Sequence, residues 1–156
     1  MSHITVQQLR ELRQRTGAGV GDCRQALEHA GGNMDQATDA IRQKAAAEAA
    51  KRAARITGQG QVGSYVHHDE RVGALVEVNC ETDFVARTED FRALVRHVAE
   101  QVAASADANV TAETVLAQEW VRDSSRTIGD LVHETSARVG ENVRVRRVTR
   151  FRLGDD

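Results

Sequence analysis

The sequence predicts an α+β protein in which a three-helix N-terminal module precedes a core built from a small antiparallel sheet packed by helices. Two observations support this prediction. Apolar residues recur at helical spacing up to about residue 55, and from Gly58 onwards they recur with a period of two. The composition is 40% hydrophobic with no proline, which suits helices that pack through small side chains. We therefore expect two domains, residues 1–55 and residues 56–156.

Glycines divide the first domain into three predicted helices. The first helix ends where Gly17 and Gly19 interrupt the apolar pattern, and the second ends at Gly31-Gly32. Asn33 is a good N-cap for the third helix, which continues through an alanine-rich stretch to about Arg55. We expect these helices to form a bundle, with the last one leading away as a connector.

The second domain begins with a predicted β-hairpin. Apolar residues alternate with other residues over 62–66 and again over 72–78, and the polar residues 67–70 lie between the two runs. Residues 83–105 then return to helical spacing, which predicts a helix with one broad apolar face.

The remainder of the second domain is predicted as helix followed by strand. Residues 111–139 have the spacing of one or two helices with poorly marked ends. Residues 143–153 alternate apolar residues with arginine over most of their length, which predicts a strand that covers the helices with one face.

Charge and hydropathy restrict the classes of function. The formal net charge is −2, with +3 on residues 1–57 and −5 on residues 58–156. Sequence-independent binding of nucleic acid needs a concentrated basic surface, which this balance disfavours. No apolar run approaches about 18 residues and the N-terminus lacks the layout of a signal peptide, so we expect a cytosolic protein without a membrane span. Cys23 and Cys80 are expected to be buried, unpaired apolar groups.

Motifs for catalysis, metal binding or nucleotide binding are weak. The glycines of residues 16–21 lack the Gly-Lys-Ser/Thr ending of a phosphate loop and fit a tight turn between helices better. Adjacent side chains of an extended chain point to opposite faces, so we expect His67 and His68 in a solvated turn and not in a metal site. We expect no cofactor, no metal and no catalytic residue, which makes a binding protein the stronger class and an enzyme the weaker one.

The segment from Glu77 to Arg87 is unusual because a predicted strand runs directly into a helix. An exposed Phe84 beside Asp83 at such a junction could anchor a protein partner, since aromatic residues dominate the energetics of interfaces. Phe84 could also share a helical face with Phe91 in the core, and residue chemistry alone favours this second interpretation.

Two stretches together resemble the elongation factor Ts family. The first runs from Leu12 to Leu27, and the second runs from Glu77 to Arg87 and contains the sequence Thr-Asp-Phe-Val, the most specific motif of the family. The segments from Gly31 to Met34 and from Glu141 to Arg147 are also similar, as is the connector between the two domains.

The resemblance extends over residues 1 to about 100 and over 139–153. The family usually has two bulky apolar residues before Asp-Cys-Lys, whereas this chain has Val20 and Gly21 before Asp22-Cys23-Arg24, so half of one expected partner contact is missing. The chain resembles the short form of the family, which has one core unit in place of two related halves. A homodimer would supply the second half.

The resemblance implies an exchange factor that binds the translational GTPase elongation factor Tu and releases its GDP. The N-terminal domain would be a ubiquitin-associated-like module that docks on the GTPase, while the core would push in near the nucleotide and displace the magnesium and phosphate contacts of the partner. The residues implied for displacement are Thr82, Asp83, Phe84 and Val85. The residues implied for docking are Leu12, Arg13, Thr16, Gly17, Gly19, Val20 and Asp22.

A second hypothesis is a small RNA-binding, ribosome-associated protein that uses Lys51, Arg52, Arg55 and the arginines of the last strand. The same arginine pattern is also explained without RNA, by a strand whose arginines lie on a face exposed to solvent. A zinc hydrolase, the third hypothesis, has no ligand set in the sequence.

Overall fold

The computed structural model describes residues 4–155. The chain divides into two compact units, with the boundary between Lys51 and Arg52. Helices and a small antiparallel sheet occur together, which confirms the predicted α+β class. Among residues 4–155, none of the helices combines the length and the apolar character that spanning a membrane requires.

The first unit is helical. Its described residues form α1 (Val6–Thr16), α2 (Val20–His29) and the greater part of α3 (Met34–Ala53). The turn between α1 and α2 begins at Gly17, whose φ of 69° is a left-handed conformation that residues with a Cβ rarely adopt. The Asn33 side chain caps α3 by accepting hydrogen bonds from the backbone of Asp35 and Gln36, as predicted.

A small apolar cluster holds these helices together. Its buried members are Leu12, Cys23, Ala26, Leu27, Ala37 and Ile41. Cys23 lies three and four residues before Ala26 and Leu27 in α2, and Ala37 lies four residues before Ile41 in α3, so each of these helices turns one face to the cluster that Leu12 of α1 completes. Both cysteines of the chain are free and buried, as the composition predicted.

The second unit contains the sheet. Its strands are β1 (Gln59–Val66), β2 (Val72–Cys80), β3 (Glu119–Trp120), β4 (Asp123–Thr127) and β5 (Arg144–Arg152). Its helices are α4 (Asp83–Ala86), α5 (Glu89–Ala104), α6 (Ala112–Leu116) and α7 (Ile128–Val139). Strands β1, β2 and β5 form an antiparallel sheet with β2 in the middle, and β3 pairs with β4 in a separate two-stranded sheet.

Helix α5 covers the inner face of the three-stranded sheet. Phe91, Val98 and Val102 of this helix are fully buried in one core with Val76 of the central strand. Gly63 allows the close approach, because a Cβ at this position would lie 2.3 Å from a methyl carbon of Val95. The outer face of the same sheet leaves large apolar side chains exposed, among them Val62, Val66, Leu75 and Phe151.

Two predicted helical regions differ from the structure. Residues 83–105 form two helices instead of one, because the Thr88 hydroxyl accepts a hydrogen bond from Phe91 N–H and begins α5 anew. The region 111–139 contains the hairpin of β3 and β4 between its helices. The buried Gln101 fixes that hairpin by bonding to the backbone of Glu119 and Val121.

Candidate partner-binding site

A single turn of helix follows the central strand and displays Phe84. The Thr82 hydroxyl caps α4 by accepting from Val85 N–H at 3.3 Å. Successive residues of a helix are about 100° apart, so a four-residue helix has one solvent side and one core side. Phe84 is 78% exposed on the solvent side, while Val85 is 6% exposed on the core side.

The far end of this turn is also held. The side chain of Gln61 in β1 donates to the Ala86 carbonyl at 2.7 Å, and the Thr88 hydroxyl donates to the Val85 carbonyl at 2.7 Å. These bonds occupy carbonyl groups that a helix end leaves without intrahelical partners. Phe84 therefore sits on a backbone that is fixed at its C-terminal side by neighbouring elements.

Asp83 lies beside Phe84 at the surface and pairs with Arg87 at 3.3 Å. Both side chains are mostly exposed, so the pair contributes little to stability and can exchange its partner for another charged group. Together Asp83 and Phe84 present an anion and an aromatic ring on one exposed turn.

Cys80 lies directly below the turn. Its thiol is fully buried and donates a hydrogen bond to the Thr82 carbonyl at 3.1 Å. Burial, together with the nearby Glu141 carboxylate, raises the pKa of this thiol to about 11. The thiol therefore stays protonated at neutral pH and acts as a packed donor instead of a nucleophile.

Glu141 was not among the predicted site residues, yet its carboxylate accepts hydrogen bonds from Glu81 and Thr82 at the start of the displaying turn. No local pattern in the sequence predicts this contact, because about sixty residues separate the partners. The segment that contains Glu141 resembles the closing strand of the family, and this resemblance does not indicate a role for its carboxylate.

The α1–α2 turn of the first unit carries most of the residues implied for docking. Val20 is about half exposed at the first position of α2, and Asp22 nearby pairs with Lys44 at 2.6 Å. A Cβ on Gly21 would meet no described atom within 4 Å. The other exposed residues of the set are Arg13, Gly17 and Gly19, and Thr16 is half-buried.

Two of the implied contact residues are not at the surface. Leu12 is fully buried in the helical cluster, where Thr16 donates to its carbonyl at 2.7 Å, and Val85 is buried in the core of the second unit. Both are apolar residues on the inner face of a helix, so burial removes their side chains from water. In the described structure these two side chains are therefore not exposed for direct contact with a partner.

The turn at His67 has the predicted polar character. His67 pairs with Asp69 at 2.9 Å, and the rings of His67 and His68 lie 4.1 Å apart. Within residues 4–155, no group of three or more His, Cys, Asp or Glu side chains is arranged to hold a metal ion.

Comparison with known proteins agrees with the resemblance. A family model for Elongation factor TS matches residues 81–156. Elongation factor Ts of Cyanothece sp. is 39% identical over 199 residues, which cover 99% of this chain and 76% of that protein. Elongation factor Ts of Desulfitobacterium hafniense is 38% identical over 198 residues, which cover 99% of this chain and 91% of that protein. Elongation factor Ts of Nostoc sp. is 43% identical over 155 residues, which cover 99% of this chain and 48% of that protein.

An aromatic side chain displayed on a fixed turn is typical of a partner-binding protein. The chain belongs to the elongation factor Ts family, since the relatives match nearly all of it. It is accordingly an elongation factor. The first two alignments are longer than the chain of 156 residues, so those relatives contain residues within the matched region that this chain lacks.

Proposed function

We propose that this protein acts in translation by releasing GDP from the GTPase elongation factor Tu. The observation that carries the proposal is the 78% exposure of Phe84 on a turn whose backbone is fixed. A fixed aromatic side chain can enter a partner with little loss of conformational entropy. The identity of the partner and the cytosolic location rest on membership of the family.

The proposed mechanism requires no bond to be made or broken. Asp83 and Phe84 enter the GTPase near its nucleotide and disturb the contacts to magnesium and phosphate. Exchange follows when the factor binds the empty GTPase more tightly than the nucleotide-bound form. By linkage, an incoming nucleotide lowers the affinity of the exchange protein for the GTPase to the same extent, so the complex dissociates once the GTPase is loaded.

The two units have separate roles in this proposal. The helices of residues 1–55 dock on the GTPase through the surface around Val20, and residues 56–156 act on the nucleotide site. Docking raises the effective concentration of Phe84 at its target, because the second contact becomes intramolecular.

We also propose that two copies associate through the outer face of the three-stranded sheet. In the strand register, Val66 and Phe151 lie on either side of Gly73, and Leu75 lies one row away on the same face. Sheets with an apolar face normally bury it against a second layer. A second copy offers the same face, so a symmetric pair of sheets packed face to face covers both.

The RNA-binding hypothesis receives less support. Arg146 and Arg147 of β5 both pair with Glu77, and Arg150 pairs with Asp155 while its side chain is 4% exposed. Arg150 is thus buried beside a carboxylate, and the single charge of Glu77 offsets part of the charge of Arg146 and Arg147, which weakens the concentrated basic surface that phosphate binding needs.

Release of fluorescent GDP from purified elongation factor Tu tests the proposal. Addition of the protein should accelerate release in proportion to its concentration until the GTPase is saturated, without RNA or ribosomes. Release at the spontaneous rate across the whole concentration range would exclude the exchange function, and a steep salt-dependent affinity for RNA would support the RNA-binding hypothesis instead.

A further inference from the structure

Glu141 ties the turn that displays Phe84 to a distant part of the chain. Glu141 Oε2 accepts hydrogen bonds from the backbone N–H groups of Glu81 at 2.9 Å and Thr82 at 3.0 Å. Glu141 Oε1 accepts from the Thr82 hydroxyl at 2.6 Å. Each of these donors lies within three residues of Phe84 in the chain. Bonds to a charged acceptor are about twice as strong as bonds between neutral groups.

The bond to the Thr82 hydroxyl has a consequence for the helix that follows. A hydroxyl has one hydrogen to donate and two lone pairs with which to accept. Because Glu141 takes the hydrogen, the lone pairs of Thr82 remain for Val85 N–H, which donates to this oxygen at 3.3 Å. The Glu141 carboxylate therefore orients the very group that caps α4.

The contact is reciprocal between two loops. Glu81 donates its N–H to Glu141, and the Glu81 carboxylate accepts from Asn142 N–H at 2.7 Å. Each loop thus supplies a carboxylate for a backbone N–H of the other. Backbone groups that would otherwise need water or strand partners are satisfied across the junction.

Glu141 is itself held by regular structure. It follows Gly140, which ends α7 in a left-handed conformation with φ of 74°, and its carbonyl accepts from the Ser136 hydroxyl at 2.6 Å. Strand β5 begins three residues later at Arg144. The end of a helix and the start of a strand therefore fix the position of the carboxylate. A group that orients another residue needs to be held in place in this way.

A four-residue helix needs such support. Starting a helix is unfavourable because several backbone angles are fixed for the first hydrogen bond, so an isolated turn does not persist in water. We propose that Glu141 is a positioning residue, which holds the Thr82–Val85 turn in the conformation that displays Phe84 to the GTPase. This inference rests on the proposed function, and Glu141 acts through Thr82 instead of touching the partner.

The first test measures release of fluorescent GDP from elongation factor Tu by the full chain carrying Glu141→Ala. We expect the maximal rate to fall about tenfold, because two backbone donors and the helix cap lose their acceptor. The concentration for half-maximal release should change much less, since the first unit is untouched. Glu134→Ala is the matched control, because it removes an exposed carboxylate of α7 that pairs only with Arg126 among the described ion pairs, and it should release at the wild-type rate.

The variant Glu141→Gln keeps the test decisive if Glu141→Ala does not fold. A glutamine oxygen still accepts a backbone hydrogen bond but carries no charge, so we expect a loss of about threefold. A wild-type rate in a folded Glu141→Gln or Glu141→Ala variant would overturn the inference.

A double-mutant cycle separates positioning from general stability. If Glu141 acts through the displayed ring, Glu141→Ala has no further effect on release in a Phe84→Ala background, because the group that it positions is absent. The same fold loss in both backgrounds would show that Glu141 acts by another route and would contradict the proposal.

Thiol modification gives a readout that needs no GTPase. Cys80 bonds to the Thr82 carbonyl and is fully buried, so iodoacetamide can reach it only when the turn opens. Peptide mass spectrometry should show faster modification of Cys80 in Glu141→Ala, whereas Cys23 in the first unit should be modified at the wild-type rate. An unchanged rate of Cys80 modification would contradict the proposal that Glu141 holds this turn in place.

The outcomes distinguish the two claims. If the wild-type chain does not accelerate GDP release, the proposed function is wrong. If the wild type and both Glu141 variants all release GDP at the normal rate, only the positioning role is wrong.

Discussion

Phe84 is 78% exposed, whereas Phe91, seven residues further along the chain, is fully buried. The two rings belong to different helices, because Thr88 ends the first turn with a hydrogen bond to Val85 and caps the next helix at Phe91. The break between α4 and α5 thus separates a ring that is available to a partner from a ring that fills the core.

Phe84→Ala should leave the melting temperature nearly unchanged and slow GDP release by about tenfold. The exposed ring contributes little to the core, while a loss of about 1.4 kcal/mol of differential binding corresponds to a tenfold change in rate. Thermal unfolding by circular dichroism and fluorescent-GDP release are measured on one preparation. Asp83→Ala should behave in the same way but more mildly.

Phe91→Ala is the matched control for this prediction. Truncation of a fully buried Phe costs about 3–5 kcal/mol, so this variant should melt much earlier, and its loss of exchange should follow the unfolded fraction. A large loss of stability in Phe84→Ala with normal exchange per folded molecule would refute the assignment of Phe84 to the interface.

Gly21→Leu should strengthen binding to elongation factor Tu by about fivefold. A side chain at this position meets no described atom within 4 Å, and a leucine would add about 1 kcal/mol of apolar burial against the partner. Titration calorimetry with the GTPase measures the affinity. Gly21→Ala is the control, because it should stabilise α2 by about 0.5–1 kcal/mol without adding the contact. If both variants bind alike, the docking surface does not include this position.

Leu75→Arg should convert the proposed dimer into a monomer. The side chain is exposed near the centre of the apolar outer face, and a charge there would be buried without a partner in a face-to-face pair. Val121→Arg places the same charge at a similarly exposed apolar residue outside this sheet and should leave the dimer intact. Light scattering at tens of micromolar protein measures the molar mass of the wild type and of both variants. A monomeric wild-type mass would refute the dimer, and a dimeric Leu75→Arg would refute this interface.

His97 should make the second unit less stable at mildly acidic pH. Burial lowers the pKa of His97 below its ordinary value of 6.5, and the neighbouring Arg122 acts in the same direction. The unfolded chain therefore binds a proton that the folded chain resists, so the free energy of unfolding falls as pH drops through about 6.5 towards the folded pKa.

Urea unfolding at pH 7.5 and pH 5.5 tests this dependence with His97→Gln, which removes the titrating group. The wild type should lose more stability between the two pH values than the variant does. His29→Gln, a change at an exposed histidine of the first unit, should retain the full wild-type dependence. Equal losses in wild type and His97→Gln would contradict the prediction.

The sequence by itself determined the class of fold and most of its regular elements. Helical spacing and glycine punctuation are local properties, so the three N-terminal helices and the cap at Asn33 could be predicted from short stretches of chain. The period-two hairpin and the final strand were predicted for the same reason, and the motif around Phe84 pointed to the family.

Tertiary structure alone decided which side chains of the motif are exposed. The strands β3 and β4 are short and poor in apolar residues, and contacts from the distant Gln101 hold them together. The exposure of Phe84 likewise depends on Val85 finding the core and on Glu141 bonding to Thr82 across about sixty residues. Such contacts join groups with no common sequence period, because chain folding and not local propensity brings them within hydrogen-bonding distance.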